Sequence, residues 1–361
     1  MAAAVALAGC SPAGAGPGAG SKTGPTRPST TTTSVPPTTA PPARGDIDDP
    51  ATVPAPSGNL PDPFVLKVPG GYQLYASQAS LSGAIIPTAF SSRFGRWPAT
   101  HGAMTKLPPW ATVGFTWAPD VRYLDGEYVM YFDALAKRSL YYDAAGHGLS
   151  NYAQCIGTAT SKTPGGPFAP RPSPLICDFH AHGAIDPRTF LAPDGKLYLD
   201  WKSDNNAANP APFPATHLFA QLLAANGLSL AGRPHLLMSA DERWQGHIVE
   251  APDMVVARGR YWLFYSGSWF NNTGYGIGYA RCSSPTGPCT DISVNGPFIG
   301  SNKEGVGPGE ESLFEGTNGD WWLLYAPWYF DWLGRANRPI AIAPVAFGAR
   351  PYVAAPAGTA S

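Results

Sequence analysis

From Asn59 onward, apolar and polar positions recur with a period of about 60–65 residues, long enough for one supersecondary unit per copy. Each copy begins at an acidic residue, often beside a proline, and continues through an apolar run, a turn and an aromatic strand. The first reads Asp62-Pro63-Phe64-Val65-Leu66, Gly70-Gly71, Tyr72-Gln73-Leu74-Tyr75, and the second Ala118-Pro119-Asp120-Val121-Arg122-Tyr123, Asp125-Gly126, Tyr128-Val129-Met130-Tyr131. The third is Ile185-Asp186-Pro187-Arg188-Thr189-Phe190, Asp194-Gly195, Leu197-Tyr198-Leu199, and the fourth Glu250-Ala251-Pro252-Asp253-Met254, Arg258-Gly259, Tyr261-Trp262-Leu263-Phe264-Tyr265. The fifth is Glu311-Ser312-Leu313-Phe314, Asn318-Gly319, Trp321-Trp322-Leu323-Leu324-Tyr325. Two apolar strands around a glycine turn signal a hairpin. Further strands follow, Ile156–Ser161 in the second copy and Ile277–Cys282 in the fourth, trailed by the matching tails Gly165-Gly166-Pro167-Phe168 and Thr286-Gly287-Pro288-Cys289. Four strands per copy in five copies predict an all-β, five-bladed β-propeller of four-stranded blades over residues 59–350, with 351–361 as a tail. A β-sandwich does not explain so long a period.

Composition supports this reading. Aromatics make up 12% of the 361 residues, and the 41 Gly and 40 Pro supply turns. Charged residues are only 14% and the net charge is −1, so nothing favours binding to nucleic acid. Residues 11–58 are dominated by Ser, Pro, Ala, Gly and Thr, a composition that cannot offset its conformational entropy by burial, and are expected to form a disordered linker. Residues 1–10 end in Leu7-Ala8-Gly9-Cys10, which resembles a lipobox, so Cys10 is the expected site of a lipid anchor, although no Lys or Arg precedes it. The chain is therefore read as exported, either a cell-envelope lipoprotein or secreted, and as a monomer. Export favours oxidised cysteines. Cys282 is expected to pair with Cys289 across a tight turn, and Cys155 with Cys177; a zinc site lacks both CxxC spacing and a matching histidine.

The acids carry the chemistry. In a propeller the innermost strand of each blade lines the central channel, so an acid at its head stands at one channel mouth. Asp62, Asp186 and Glu250 lie in or beside three such positions. Carboxylates crowded in one cleft repel, so their pKa values split and one stays protonated near neutrality. Glycoside hydrolysis needs that split: one acid protonates the leaving oxygen while one carboxylate activates water.

The motifs Leu60-Pro61-Asp62-Pro63-Phe64-Val65, Thr116-Trp117-Ala118-Pro119-Asp120-Val121, Ala184-Ile185-Asp186-Pro187 and Ile248-Val249-Glu250-Ala251-Pro252 follow one another at blade spacing, and Arg338–Val345 supplies a closing strand. Together they resemble glycoside hydrolase family 43, the five-bladed arabinanases, arabinofuranosidases and xylosidases. That resemblance implies Asp62 as general base, Glu250 as general acid and Asp186 as the carboxylate that orients the acid and raises its pKa. It also implies inversion, with base and acid about 6.5–9.5 Å apart. Substrate contacts are expected from Trp117, Asp120 and Arg338, and the expected partner is a pentose- or furanose-containing polysaccharide or oligosaccharide of the arabinan, arabinoxylan or cell-wall arabinogalactan type.

The fifth copy departs from the family. Its Gly-Pro-Gly-His stretch reads Gly307-Pro308-Gly309-Glu310 here, so no cofactor is expected to be required and the altered motif does not support a structural cation in the channel. His180 and His182 are more simply a loop pair than metal ligands. Two alternatives stand beside an inverting hydrolase: a retaining fructan hydrolase or transferase of the invertase–levansucrase type, and a non-catalytic glycan-binding propeller.

Overall fold

The computed structural model describes residues 58–354, apart from 81–82, 96, 138–152, 208–213, 303–304, 317–318 and 331–335. The expectations for Cys10, the signal segment, the linker up to residue 57 and the tail beyond 354 lie outside the described residues. Five four-stranded antiparallel sheets, each ordered from the channel outward, form five blades. They comprise Phe64–Val68, Gly71–Tyr75, Pro87–Ser91 and His101–Gly102; Ala111–Leu124, Glu127–Ala136, Gln154–Ser161 and Ala169–Pro170; Ala184–Leu191, Leu197–Ser203, His217–Leu223 and Leu230–Ser239; Val249–Ala257, Arg260–Gly267, Gly276–Cys282 and Cys289–Asp291; and Ser312–Glu315, Trp321–Tyr325, Ala341–Phe347 and Pro351–Val353. The last strand belongs to the fifth blade, so the propeller extends beyond the boundary expected at residue 350. The only helical element among the described residues is the 3-10 turn Arg243–Gln245, and none of them forms a helix able to cross a membrane.

The expected hairpin turns all form where they are described. At Asp125-Gly126 and Arg258-Gly259 both residues take positive φ, as a two-residue turn matching the strand twist demands. Each seam between neighbouring blades holds its own apolar cluster. Tyr75 and Ile86 meet Met130 and Phe132; Tyr131 meets Leu199 and Trp201; Leu218 meets Leu263 and Tyr265; Phe264 meets Leu323; and Leu74 and Phe94 meet Phe314 and Trp322. The last seam closes the ring between the first and fifth blades. It is tied by hydrogen bonds from Leu60 N to Arg338 O (3.0 Å), Arg338 N to Asn59 Oδ1 (2.9 Å) and Ser312 Oγ to Pro63 O (2.6 Å).

Arg188 crosses the channel axis. Its guanidinium lies 3.8 Å from Asp120 and 3.9 Å from Asp253, donates to Glu311 O at 3.3 Å, and sits 5.1 Å above the Phe64 ring. One side chain of the third blade thus touches the other four.

Both expected disulfides are present, Cys155–Cys177 and Cys282–Cys289, so these thiols cannot hold zinc. The first ties the third strand of its blade to the segment leading into the next blade; the second staples an outer hairpin. Removing Cys155–Cys177, which closes 22 residues of chain, is expected to lower unfolding stability by about 3 kcal/mol. The shorter 282–289 loop should cost less, as denaturant titration of the paired Cys→Ala variants will show.

Candidate active site

One backbone feature places the site. In or just before every innermost strand a single non-glycine residue adopts the left-handed conformation: Asp62 (φ 55°), Ala118 (44°), Asp186 (57°), Ala251 (50°) and Glu310 (56°). The kink interrupts strand alternation as a bulge does, and the pairing register shifts beside it in the second, third and fourth blades. The structure therefore refines the phase of the repeat. Asp62, Asp186 and Glu310 occupy equivalent positions, and Glu250 stands one residue before its kink. A left-handed non-glycine residue costs roughly 1–2 kcal/mol, and four of the five are held by a clasp. The amide of Ala118 donates to Ser77 Oγ (2.7 Å), that of Asp186 to Asp133 Oδ2 (2.9 Å), that of Ala251 to Asp186 Oδ2 (3.0 Å) and that of Glu310 to Ser266 Oγ (2.9 Å). Each clasping side chain comes from the preceding blade.

The kinks gather Asp62, Asp186, Glu250 and Glu310 on the floor of a cleft of about 420 Å³. Asp62 accepts a short hydrogen bond from Ser77 Oγ and lies 3.5 Å from Arg338 Nη1. The Arg338 guanidinium is itself fixed by Ala326 O, which it reaches through Nε (3.2 Å) and Nη2 (3.1 Å). Glu250 is held at both oxygens: Lys202 Nζ donates to Oε2 at 2.9 Å and Tyr275 Oη bonds Oε1 at 2.7 Å. Tyr275 Oη also lies 2.8 Å from Glu310 Oε1. Lys202, with its side chain only 2% exposed, is 3.4 Å from Asp204 as well.

Burial governs the protonation of this cluster. It pushes Asp186 up to about 7, with the charge of Glu250 adding and that of Lys202 opposing. It also raises Asp62, against the lowering influence of Arg338 and Ser77. Glu310 goes well above the usual range through burial, reinforced by Asp186, Asp62 and Glu250. Asp204 reaches about 6 through burial, opposed by Lys202. Burial works against the charge of Lys202, but Glu250, Asp204 and Asp186 outweigh it and hold the ammonium more firmly than in water.

Of the residues expected at the substrate, Trp117 and Arg338 line the cleft together with Phe115, Trp269, Phe270 and Trp328. Trp117 is half-buried and so is not a core tryptophan. Asp120 is a correction. It lies deeper in the channel, 1% exposed, accepting from Thr189 N (3.2 Å) and Thr189 Oγ1 (2.7 Å) and pairing with Arg188. Two residues past its kink, it is carried down the channel and away from the cleft. His180 and His182 sit on a turn, and neither joins a candidate metal group among the described residues. Sequence reasoning missed Lys202, Tyr275, Ser77 and Asp133. A lysine ending the apolar run Leu197-Tyr198-Leu199-Asp200-Trp201 was a usable signal, because an unpaired lysine is not buried in a strand. Tyr275 sits in a loop with no such mark.

Carboxylate oxygens of Asp186, Glu250 and Glu310 lie within 4.8 Å of one another, an arrangement that superficially suits a cation. Here the Lys202 ammonium already supplies the positive charge and the Tyr275 hydroxyl bridges two of the three groups, so we assign them no metal. In the second acidic group, Asp241, Glu242 and Asp291, Asp291 is engaged by Tyr265 and Gln245.

The sequence model of glycosyl hydrolases family 43 matches residues 51–349. Among curated relatives, a xylosidase/arabinosidase 43A of Humicola insolens is 34% identical over 101 residues, which are 27% of this chain and 25% of that protein. A beta-D-galactofuranosidase of Aspergillus niger is 26% identical over 248 residues, 65% of this chain and 63% of that protein. The chain thus spans less than two thirds of the length of either relative. The crystal structure of a thermostable family-43 glycoside hydrolase matches with a TM-score of 0.69 at 25% identity, covering 83% of this chain and 95% of that one.

The raised carboxyls make stability depend on pH with a definite sign. Asp204 and Asp253 rise from 3.8 to about 6 and Asp186 from 3.8 to about 7, so the folded state keeps protons that the unfolded chain has released. Their contribution is full below the unfolded value and is lost as pH rises through about 6 to 7. Calorimetry is expected to show Tm falling as pH rises from the unfolded value of 3.8 to about 7, and the Asp186→Asn variant should flatten the fall.

Proposed function

The chain belongs to glycosyl hydrolase family 43, and on that premise we propose that it hydrolyses O-glycosidic bonds of a pentose- or furanose-containing polysaccharide, of arabinan, arabinoxylan or cell-wall arabinogalactan type, with inversion at the anomeric carbon. The observation that carries this reading is the separate fixing of two carboxylates in one cleft. Asp62 is held by Ser77 and Arg338 from the closing seam, and Glu250 by Lys202 and Tyr275. Asp186 interacts electrostatically with both.

The roles follow from those partners. Asp62, whose carboxylate form Arg338 favours against burial, removes a proton from a water as its oxygen attacks the anomeric carbon. Glu250 gives a proton to the departing glycosidic oxygen from Oε1, since Oε2 is committed to Lys202. Asp186 grips the peptide after Glu250 through Ala251 N–H and so sets the direction of the acid. The aromatic walls, Trp117 and Trp328 among them, offer flat apolar faces to sugar rings, while Asn59, Gln78 and Asn206 supply polar groups for hydroxyls. The names of the two relatives, one xylosidase/arabinosidase and one galactofuranosidase, support pentosyl or furanosyl substrates. The two disulfides support an exported enzyme meeting an extracellular or envelope polymer.

Asp62→Asn and Glu250→Gln are each expected to cut turnover by about a hundred- to ten-thousand-fold, measured as reducing sugar released from a panel of plant and bacterial polysaccharides. Activity like that of the unmodified chain in either variant overturns the assignment. Arg338→Met removes the charge that holds Asp62 down, so Asp62 should require a higher pH to ionise. The acidic limb of kcat/KM is expected to move to higher pH, and an unmoved limb would separate Arg338 from the base.

A further inference from the structure

Tyr275 presents one hydroxyl proton to two carboxyl groups. Its Oη lies 2.7 Å from Glu250 Oε1 and 2.8 Å from Glu310 Oε1, and it is completely buried. A phenolic hydroxyl donates one hydrogen bond and otherwise accepts. If both carboxyls were ionised, one contact would set oxygen lone pairs against each other with no proton between them, inside a site too dry to screen them. The geometry therefore requires one proton on the Glu250–Glu310 pair in addition to the tyrosine's own.

The surroundings decide where that proton rests. Lys202 donates to Glu250 Oε2, which favours the charge on Glu250 and the proton on Glu310. Burial weighs most against a charge on Glu310, and around it the carboxyl groups of Asp62 of the first blade, Asp186 of the third and Glu250 of the fourth outnumber the one cation, Arg338 of the fifth. The arrangement is built into the chain rather than incidental. A Cβ on Gly309 would lie 2.0 Å from the Tyr275 ring, so only glycine beside Glu310 admits the tyrosine.

We propose that Glu310 holds a reserve proton and that Tyr275 relays it to Oε1 of Glu250, so that the acid of the reaction is the Glu250–Glu310 pair rather than Glu250 alone. In the relay the O–H bond of the Glu310 carboxyl breaks as Tyr275 Oη accepts its proton. The hydroxyl's original proton leaves Oη and forms an O–H bond on Glu250 Oε1. Glu310 ends as a carboxylate and Tyr275 is unchanged. After Glu250 has passed the proton to the leaving oxygen, solvent reprotonates Glu310 while Asp62 returns to solvent the proton taken from water, so the cycle balances. Glu310 and Tyr275 touch no substrate in this scheme and act as positioning and proton-supplying residues. The inference rests on the reading of Glu250 as the acid.

The full-length chain with its seven glutamates labelled at the carboxyl carbon lets Glu250 and Glu310 be followed by 13C NMR across pH without any substrate. In the unmodified protein the two signals are expected to move together in two well-separated steps, as coupled sites do. Tyr275→Phe should uncouple them, and Glu310→Gln should leave a single step in place of two. On whichever polysaccharide is cleaved, the basic limb of kcat/KM for Glu310→Gln should move to lower pH, because releasing the last proton no longer creates two adjacent anions. A merely structural role would lower the rate and leave the limb in place. Independent titration of Glu250 and Glu310 in the unmodified protein, or titration unchanged in Tyr275→Phe, overturns the shared proton even if Glu250→Gln is inactive. An active Glu250→Gln alongside coupled titration instead overturns the hydrolytic role of Glu250, so the two failures are distinguishable.

Discussion

The left-handed residue in or just before each innermost strand is the constraint on which the rest of the structure depends. It aims Asp62, Asp186 and Glu310 into the channel mouth and leaves Glu250 one residue away, pointing into the same cleft. A kinked amide cannot join the regular ladder, and an orphaned buried N–H is costly. Four of the kinks are satisfied by a side chain from the preceding blade. Blade order and site geometry are thereby the same set of contacts. Asp186 shows this most directly: its own amide is clasped by Asp133, and its carboxylate clasps the residue after Glu250.

A second constraint is charge. A ring of buried carboxylates is tolerated only where cations or protons offset it. Lys202 serves Glu250 and Asp204, Arg338 serves Asp62, and Arg188 serves the deeper pair Asp120 and Asp253. The remaining deficit is met by protons, which is why burial raises Asp186 and Glu310. Arg338 also belongs to the seam that closes the ring, through its backbone bonds to Leu60 and Asn59. Closure of the propeller and ionisation of Asp62 are consequently linked in one residue.

Much of this was legible in the sequence because the repeat is carried by backbone-determining residues. Asp-Pro and Ala-Pro steps marked the innermost strands, and glycine turns marked the hairpins. The five apolar seams follow from strands apolar on both faces, since each blade is covered by two neighbours. The tight turn between Cys282 and Cys289 pointed to one disulfide and left Cys155 to pair with Cys177. Asp120 was misplaced in the cleft, because Ala118-Pro119-Asp120 reads the same whether the acid faces the cleft or, past a kink, the axis below it. Lys202 and Tyr275 escaped notice because their partners are 48 and 25–35 residues away, and no local pattern records such pairing. Glu310 was visible only as a departure from a histidine; that it shares a tyrosine with Glu250 is a tertiary fact.

In the proposed mechanism the chemistry is a single displacement, with Asp62 activating water opposite a leaving group protonated at Glu250. Proton NMR of the anomeric signals during early hydrolysis of a cleaved pentosyl or furanosyl oligosaccharide tests this most directly. The account predicts that the first product carries the anomeric configuration opposite to that of the substrate bond and then equilibrates. A first product of retained configuration would contradict it, because retention needs a carboxylate acting as nucleophile rather than as base.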